Sequence, residues 1–165
     1  MRERAAALAE IEVRDNGKLL AEMGAQVAYT AQWYHYYGGL ADKIEGAVLP
    51  IDKPNVLNYT RYEPVGVVAA ITPWNFPTQI NLAKIAPALA SGCTVVLKAA
   101  PDTPWSASVL GRLVAEHTDI PPGVVNVLTS SRHEVGELLT THPAVDVVSF
   151  TGSTEVGRRI MAAAS

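Results

Sequence analysis

Val65-Gly66-Val67-Val68-Ala69-Ala70-Ile71-Thr72-Pro73-Trp74-Asn75-Phe76-Pro77 is the stretch whose reading decides the fold. Its first seven residues form a short continuous apolar run, the pattern of a strand buried on both faces. Behind the run, two prolines set the backbone on either side of Trp74-Asn75-Phe76 and withhold two N–H groups, so a rigid loop follows the strand.

Three further runs lie downstream: Thr94-Val95-Val96-Leu97, Val124-Val125-Asn126-Val127-Leu128 and Val145-Asp146-Val147-Val148-Ser149-Phe150. Helical stretches separate them. Leu82, Ile85, Ala86 and Leu89 fall at i, i+3, i+4 and i+7, with a kink expected at Pro87. The next helix takes Thr103 as N-cap and Pro104 at its first position, with Leu110, Leu113 and Val114 on one face. A third runs from about Glu134 to Thr141. Strands alternating with helices specify an α/β fold, a Rossmann-like parallel sheet with flanking helices. Ligands of such sheets bind outside the carboxyl ends of the strands. Chemistry is therefore expected at Thr72–Pro77, Lys98–Asp102, Thr129–Arg132 and Thr151–Gly157.

Upstream, the pattern is helical from Arg2 to about Tyr37, broken at Asp15-Asn16-Gly17. Leu19, Leu20, Met23, Val27 and Ala31 fall at helical spacing, and Gly38-Gly39 is expected to end the helix. The aromatic cluster Tyr29, Trp33, Tyr34, Tyr36 and Tyr37 reads as core or subunit contact. Residues 47–63 alternate loosely, and Pro50 and Pro54 make them edge strands or an extended arm. The expected organisation is N-terminal helices over 1–46, the arm over 47–63 and a dinucleotide-binding α/β domain over 64–165.

Apolar residues make up 48% of the 165 and charged residues 18%, enough for a packed core and too apolar for a disordered chain. The net charge of −3 without a basic block argues against nucleic acid or an anionic membrane as partner. No apolar run approaches the roughly 18 residues of a membrane span. Met1-Arg2-Glu3-Arg4-Ala5 lacks the apolar stretch of a signal peptide, and the single cysteine cannot form an internal disulfide. A cytoplasmic location is expected. Met161-Ala162-Ala163-Ala164-Ser165 stops within a helical pattern and reads as a cut.

Three places carry residues suited to chemistry. Asn75 offers an uncharged amide donor on a rigid loop, suited to an oxyanion forming on a carbonyl; the competing reading, equal in weight on physical grounds, is a packing turn in which Asn75 satisfies nearby backbone. Lys98 at a strand end can donate to ribose hydroxyls or a phosphate, although a lone lysine is more often simply solvated. Gly152, Ser153 and Gly157 lie where a strand passes into a helix, a suitable anion site; the alternative is an ordinary capped helix, with Gly157 permitting tight packing. Cys93 begins a buried strand at the edge opposite these loops and reads as packing. His35, His117, His133 and His142 lack metal-ligand spacing.

Pro73-Trp74-Asn75-Phe76-Pro77, then Lys98, then Phe150-Thr151-Gly152-Ser153-Thr154-Glu155-Val156-Gly157 resembles, in content and order, the aldehyde dehydrogenase superfamily. The resemblance covers nearly the whole chain. It implies that Asn75 is an oxyanion-hole donor and that Ile71, Thr72, Pro73 and Trp74 line a cofactor, NAD or NADP. It also implies that Lys98 contacts ribose and that Gly152, Ser153 and Gly157 belong to the phosphate segment.

Two departures keep the nucleotide open. Pro101 stands where NAD-using members often carry Glu, with Asp102 next. Thr129-Ser130-Ser131-Arg132 replaces a Gly-rich turn, and Arg132 is a candidate for a 2′-phosphate. Gly136 beyond it reads as helix packing.

The same resemblance implies a homo-oligomer assembled through residues 47–63. It implies oxidation of an aldehyde to a carboxylic acid through a thiohemiacetal and a thioester. The nucleophilic Cys and the base Glu of that reaction are expected downstream of residue 165, so this chain by itself is expected to be inactive. The alternative is a non-catalytic nucleotide-binding or regulatory module that associates with a complete subunit.

Overall fold

The four apolar runs are the strands β1 (Val67–Ile71), β2 (Thr94–Lys98), β3 (Val125–Leu128) and β4 (Val147–Phe150) of one sheet in the computed structural model, which describes residues 2–164. All neighbours are parallel and the lateral order is β3-β2-β1-β4. The chain thus steps from β1 to β2 to β3 in one direction and returns past β1 to lay down β4. Right-handed crossovers then place α3 (Pro77–Ala90) and α4 (Pro104–His117) on one face and α5 (His133–Thr141) on the other, beside α6 (Thr154–Ala163).

The core between the sheet and its first helical layer is built from Val68, Ala70, Ile85, Val95, Leu97 and Ala107. A second cluster, Leu8, Ala9, Met23 and Val27, joins α1 (Ala5–Asn16) and α2 (Leu20–Leu40) to Val109 and Leu113 of α4. The N-terminal helices are therefore an outer layer laid over α3 and α4.

Both α3 and α4 begin with proline at the first helical position, and neither is capped by its own N-cap residue. The acceptors come from α1. Glu12 Oε1 accepts from Thr78 N–H at 3.2 Å, and Asp15 Oδ2 accepts from Trp105 N–H at 2.8 Å and from Ser106 N–H at 3.4 Å. Thr103 occupies the N-cap position of α4 as expected, but its buried hydroxyl makes no hydrogen bond, because the Asp15 carboxylate already serves the first turn.

Other differences from expectation have local causes. The expected strands begin one or two residues too early at Val65, Val124 and Val145. Gly66 at φ +120° turns the backbone out of the extended region, and Val67 N–H donates to the Asp146 carboxylate at 2.7 Å. Gly38 and Gly39 lie inside α2, which runs on to Leu40. Neither glycine takes a positive φ, and the Ala41 N–H still donates to Tyr37 O in the ordinary helical manner. Helix α3 continues through Pro87 to Ala90.

Residues 47–63 carry one antiparallel bridge, Val48 with Tyr59, closed by Leu49 N–H to Asn58 O and Thr60 N–H to Ala47 O, each at 2.8 Å. Its apolar side chains face outward; Val48, Leu57, Tyr59 and Tyr62 are all exposed. No helix among the described residues is long and apolar enough to cross a membrane.

Candidate functional site

The parallel register puts the last residues of the strands in one row, with Leu128 beside Lys98, Lys98 beside Ile71 and Ile71 beside Phe150. Backbone pairing continues one step past the row. Ala99 N–H donates to Leu128 O, Thr72 N–H to Lys98 O and Thr151 N–H to Ile71 O, at 3.0–3.2 Å. All four loops singled out in the sequence therefore leave the sheet side by side at its carboxyl edge.

Lys98 is buried, with 7% of its surface exposed. Its Nζ donates to the carbonyls of Ala99 at 3.2 Å and Ser130 at 3.3 Å, which ties the Thr129–Arg132 turn to β2. Burial lowers its pKa from the usual 10.5, because a charged amine is costly where water is scarce. Such a lysine gains more from an incoming hydroxyl or anion than a solvated one does. The expectation of a merely solvated surface lysine does not fit this environment.

Ile71 and Lys98 open into a cavity of about 910 Å³ walled by α5 and α6, with Gly136, Val156, Arg159 and Ile160 among its lining residues. A Cβ built on Gly136 meets nothing within 4 Å, so helix packing does not account for that glycine. The walls contributed by Val156, Ile160 and Ala163 fall at i, i+4 and i+7 of α6. The helical spacing of Val156 and Ile160 is visible in the sequence, but not that they face a cavity.

Thr72 is buried, Pro73 and Asn75 are half-buried, and Trp74 stands exposed at the loop tip. The Asn75 side-chain amide makes no hydrogen bond to another described residue. Behind it, Lys84 of α3 donates to Ser149 Oγ of β4 at 2.9 Å and links this helix to the other side of β1.

At the β4–α6 junction Ser153 is the N-cap, its Oγ accepting from Val156 N–H at 3.3 Å. The Thr154 and Glu155 amides of the first turn have no acceptor within the helix, and the dipole there favours negative charge. A Cβ on Gly152 would lie 2.4 Å from Phe150 Cζ, so a side chain there has to displace the ring. A Cβ on Gly157 would make only ordinary contact with Phe150, at 3.6 Å, so tight packing does not require glycine at that position.

Arg132 is exposed and pairs with Glu134 at 3.7 Å. Cys93 is buried in the core at the opposite edge of the sheet. Among the described residues no three of His, Cys, Asp and Glu gather as a metal site would require.

The donors along this edge, one buried ammonium and a helix first turn flanking a partly apolar cavity, suit a ligand that combines a flat apolar part with hydroxyls and phosphates. A model of the aldehyde dehydrogenase family matches residues 1–165. The chain is 47% identical over 154 residues to (Z)-2-((N-methylformamido)methylene)-5-hydroxybutyrolactone dehydrogenase of Acinetobacter baylyi, covering 93% of this chain and 31% of that protein. Against glutarate-semialdehyde dehydrogenase of Pseudomonas aeruginosa the identity is 46%, over 94% of this chain and 32% of the relative. Among solved structures, an Escherichia coli NADP-dependent enzyme superposes with a TM-score of 0.94 at 41% identity, over 98% of this chain and 34% of the other. A betaine aldehyde dehydrogenase variant of Staphylococcus aureus in complex with NAD+ gives 0.94 at 40% identity, over 98% and 32%. The chain thus spans about a third of the length of the relatives it matches.

Proposed function

The chain belongs to the aldehyde dehydrogenase family, and from that premise we propose that it supplies the cofactor contacts and the oxyanion donor of an enzyme oxidising an aldehyde to a carboxylic acid. The observation that carries the proposal is the buried Lys98 ammonium, in register with Ile71, at the floor of the cavity between α5 and α6. In this reading Lys98 holds the ribose hydroxyls of NAD or NADP, and Ile71, Thr72, Pro73 and Trp74 line the cofactor along the loop after β1. Gly152 lets the β4–α6 backbone come close to the phosphates. Ser153 and the first-turn amides of α6 offer donors to them, and Gly157 keeps that turn slim.

When bound, the nicotinamide supplies the hydride acceptor. The role of Asn75 is electrostatic: its unpaired amide N–H, held by a loop with proline at both ends, stabilises negative charge on the aldehyde oxygen. Lys98, beside Asn75 in neither sequence nor register, acts on the cofactor alone. The thiohemiacetal and thioester of the full reaction form on a cysteine that this chain does not supply, since Cys93 is buried at the far edge.

Calorimetric titration of the purified chain with NAD and with NADP tests this reading. Saturable binding of at least one nucleotide is expected, and the comparison of the two tells which is preferred. Lys98→Ala should weaken binding roughly 10- to 100-fold, the worth of hydrogen bonds to a charged group. Ser153→Ala, which removes a neutral donor, should cost roughly three- to tenfold. Absence of binding by a folded chain sinks the proposal.

We also infer that the functional units follow the divisions 1–46, 47–63 and 64–165, with the second serving as the arm through which copies associate. The exposed Val48, Leu57, Tyr59 and Tyr62 support it, because exposed apolar side chains gathered on one short segment suit an association site. Sedimentation velocity should show a concentration-dependent dimer or tetramer that Leu57→Asp together with Val48→Asp converts to monomer. A monomer at every concentration removes this assignment.

A further inference from the structure

Asp15-Asn16-Gly17-Lys18 reads in the sequence as a turn between helices, and two of its residues, Asp15 and Lys18, reach the segments that follow β2 and β1. Gly17, at φ +72°, closes α1 with its N–H on Val13 O, a left-handed position that side chains rarely adopt. Asn16 Oδ1 accepts from Lys18 N–H at 2.9 Å, which fixes the direction in which the chain leaves. Lys18 then places its Nζ 3.5 Å from the centroid of the Phe76 ring, the residue next to Asn75. Asp15 takes the first-turn amides of Trp105 and Ser106. One turn earlier on the same face of α1, Glu12 takes the amide of Thr78. The i, i+3 spacing of Glu12 and Asp15 brings both carboxylates to one side of the helix.

The two helices so capped are not arbitrary ones. Helix α3 follows the loop that carries Thr72, Trp74 and Asn75, and α4 follows the loop that leads from Lys98 through Pro101 and Asp102. We propose that Glu12, Asp15 and Lys18 are positioning residues: a clamp on the outer helical layer that fixes both ligand-bearing loops from behind without touching any ligand. The proposal rests on the cofactor-binding reading for its functional consequence and on the structure alone for the clamp.

The device has a physical logic. A loop ending in proline at the first helical position has lost one N–H and depends on the next amides for its anchorage. Those amides have no acceptor within their own helix. A carboxylate satisfies them and also favours the positive end of the helix dipole. Glu12 is 1% exposed, and burial raises its pKa above the ordinary 4.5, so it holds a proton to higher pH than a free carboxyl. Its accepting role needs only an oxygen lone pair, which a glutamine also provides. The Lys18 contact adds a cation–π attraction to the same loop from a third direction.

Amide hydrogen exchange read by mass spectrometry, combined with nucleotide titration, tests the clamp on the purified chain. Asp15→Ala should speed exchange over 99–108 roughly fivefold, corresponding to the ~1 kcal/mol that a helix cap carries. Glu12→Ala and Lys18→Met should do the same over 72–80. Segments from β1 and β2 should keep the wild-type rate. Affinity for whichever nucleotide the wild type prefers should fall about fivefold in parallel. Asp15→Asn and Glu12→Gln, which retain an acceptor oxygen, should return both readouts to within about twofold of wild type.

Unchanged loop exchange overturns the clamp, and so does acceleration spread evenly over the strands, which means a general loss of stability. Faster loop exchange with unchanged affinity overturns the positioning role. A wild type that binds no nucleotide counts against the cofactor reading alone, and the exchange pattern still decides the clamp. If Glu12→Ala fails to fold, Asp15→Ala and Lys18→Met carry the test, since both residues are only half-buried.

Discussion

A chain carrying Gly66→Ala is expected to melt roughly 10 °C below the wild type. Two costs add at this residue. Its φ of +120° is a conformation in which an L side chain is strained, by about 1–3 kcal/mol. A Cβ built there also falls 2.1 Å from Asp146 Oδ2, on the carboxylate that accepts the Val67 N–H at the entry to β1. Displacing that carboxylate loses a charge-assisted hydrogen bond worth about 1–2 kcal/mol at an exposed site. The sum, about 2–5 kcal/mol, is a large part of the stability of an ordinary domain. A chain of this size shifts its melting point by about 2–4 °C per kcal/mol. Asp146→Ala incurs only the second cost and should melt about half as far below wild type. Differential scanning fluorimetry of the two variants side by side checks the argument; equal losses would show that the backbone at Gly66 is unstrained.

Gly152→Ala is expected to cost both stability and nucleotide affinity. The added methyl meets the Phe150 ring at 2.4 Å from Cζ and 2.9 Å from Cε2, so the ring has to turn or the loop has to lift. Overpacking of this kind costs about 1–3 kcal/mol. Because Phe150 is the last residue of β4 and pairs with Ile71, a lifted loop carries Ser153 and the first turn of α6 away from the row of strand ends. Binding of NAD or NADP should weaken by more than roughly tenfold, which corresponds to about 1.4 kcal/mol. The double variant Gly152→Ala with Phe150→Leu makes room for the methyl and should recover most of both losses. If affinity falls in the single variant and the double does not regain it, the clash with the ring is not the cause.

The two central strands were legible because strands buried on both faces leave their mark in consecutive residues, whereas β3 and β4 are only half-buried. Val67 to Ala70 and Val95 to Leu97 are apolar throughout, and no helix of a half-exposed layer reads that way. Their carboxyl ends were legible for the same reason, and with them the loops at which Asn75, Lys98 and Ser153 stand. Features that depend on a distant partner could not be read. Thr103 and Pro104 announce a helix start correctly, yet the acceptor for its amides comes from Asp15, 90 residues earlier in the chain. Gly38-Gly39 looks like a helix stop because stops favour glycine, but glycine also tolerates ordinary helical angles, and here the helix continues to Leu40. The cavity wall was half legible. The spacing of Val156 and Ile160 identifies one apolar face of α6 without saying whether that face meets protein or open space, and Gly136 reads as packing for the same reason.

The order β3-β2-β1-β4 has a consequence for how the chain reaches this state. Strand β1 is central, but its two neighbours become available at different times during synthesis. Thr94 follows Val67 after a single helix, so β1 and β2 can pair while the rest is still being made. The contact between Val67 and Asp146 spans 79 residues and must wait for three helices and two strands to emerge. Closing so long a loop is slow relative to local pairing. Until it closes, one edge of β1 stays open beside the loop that holds Asn75. The interval before β4 arrives is therefore when the nascent chain is most exposed to pairing with the wrong strand.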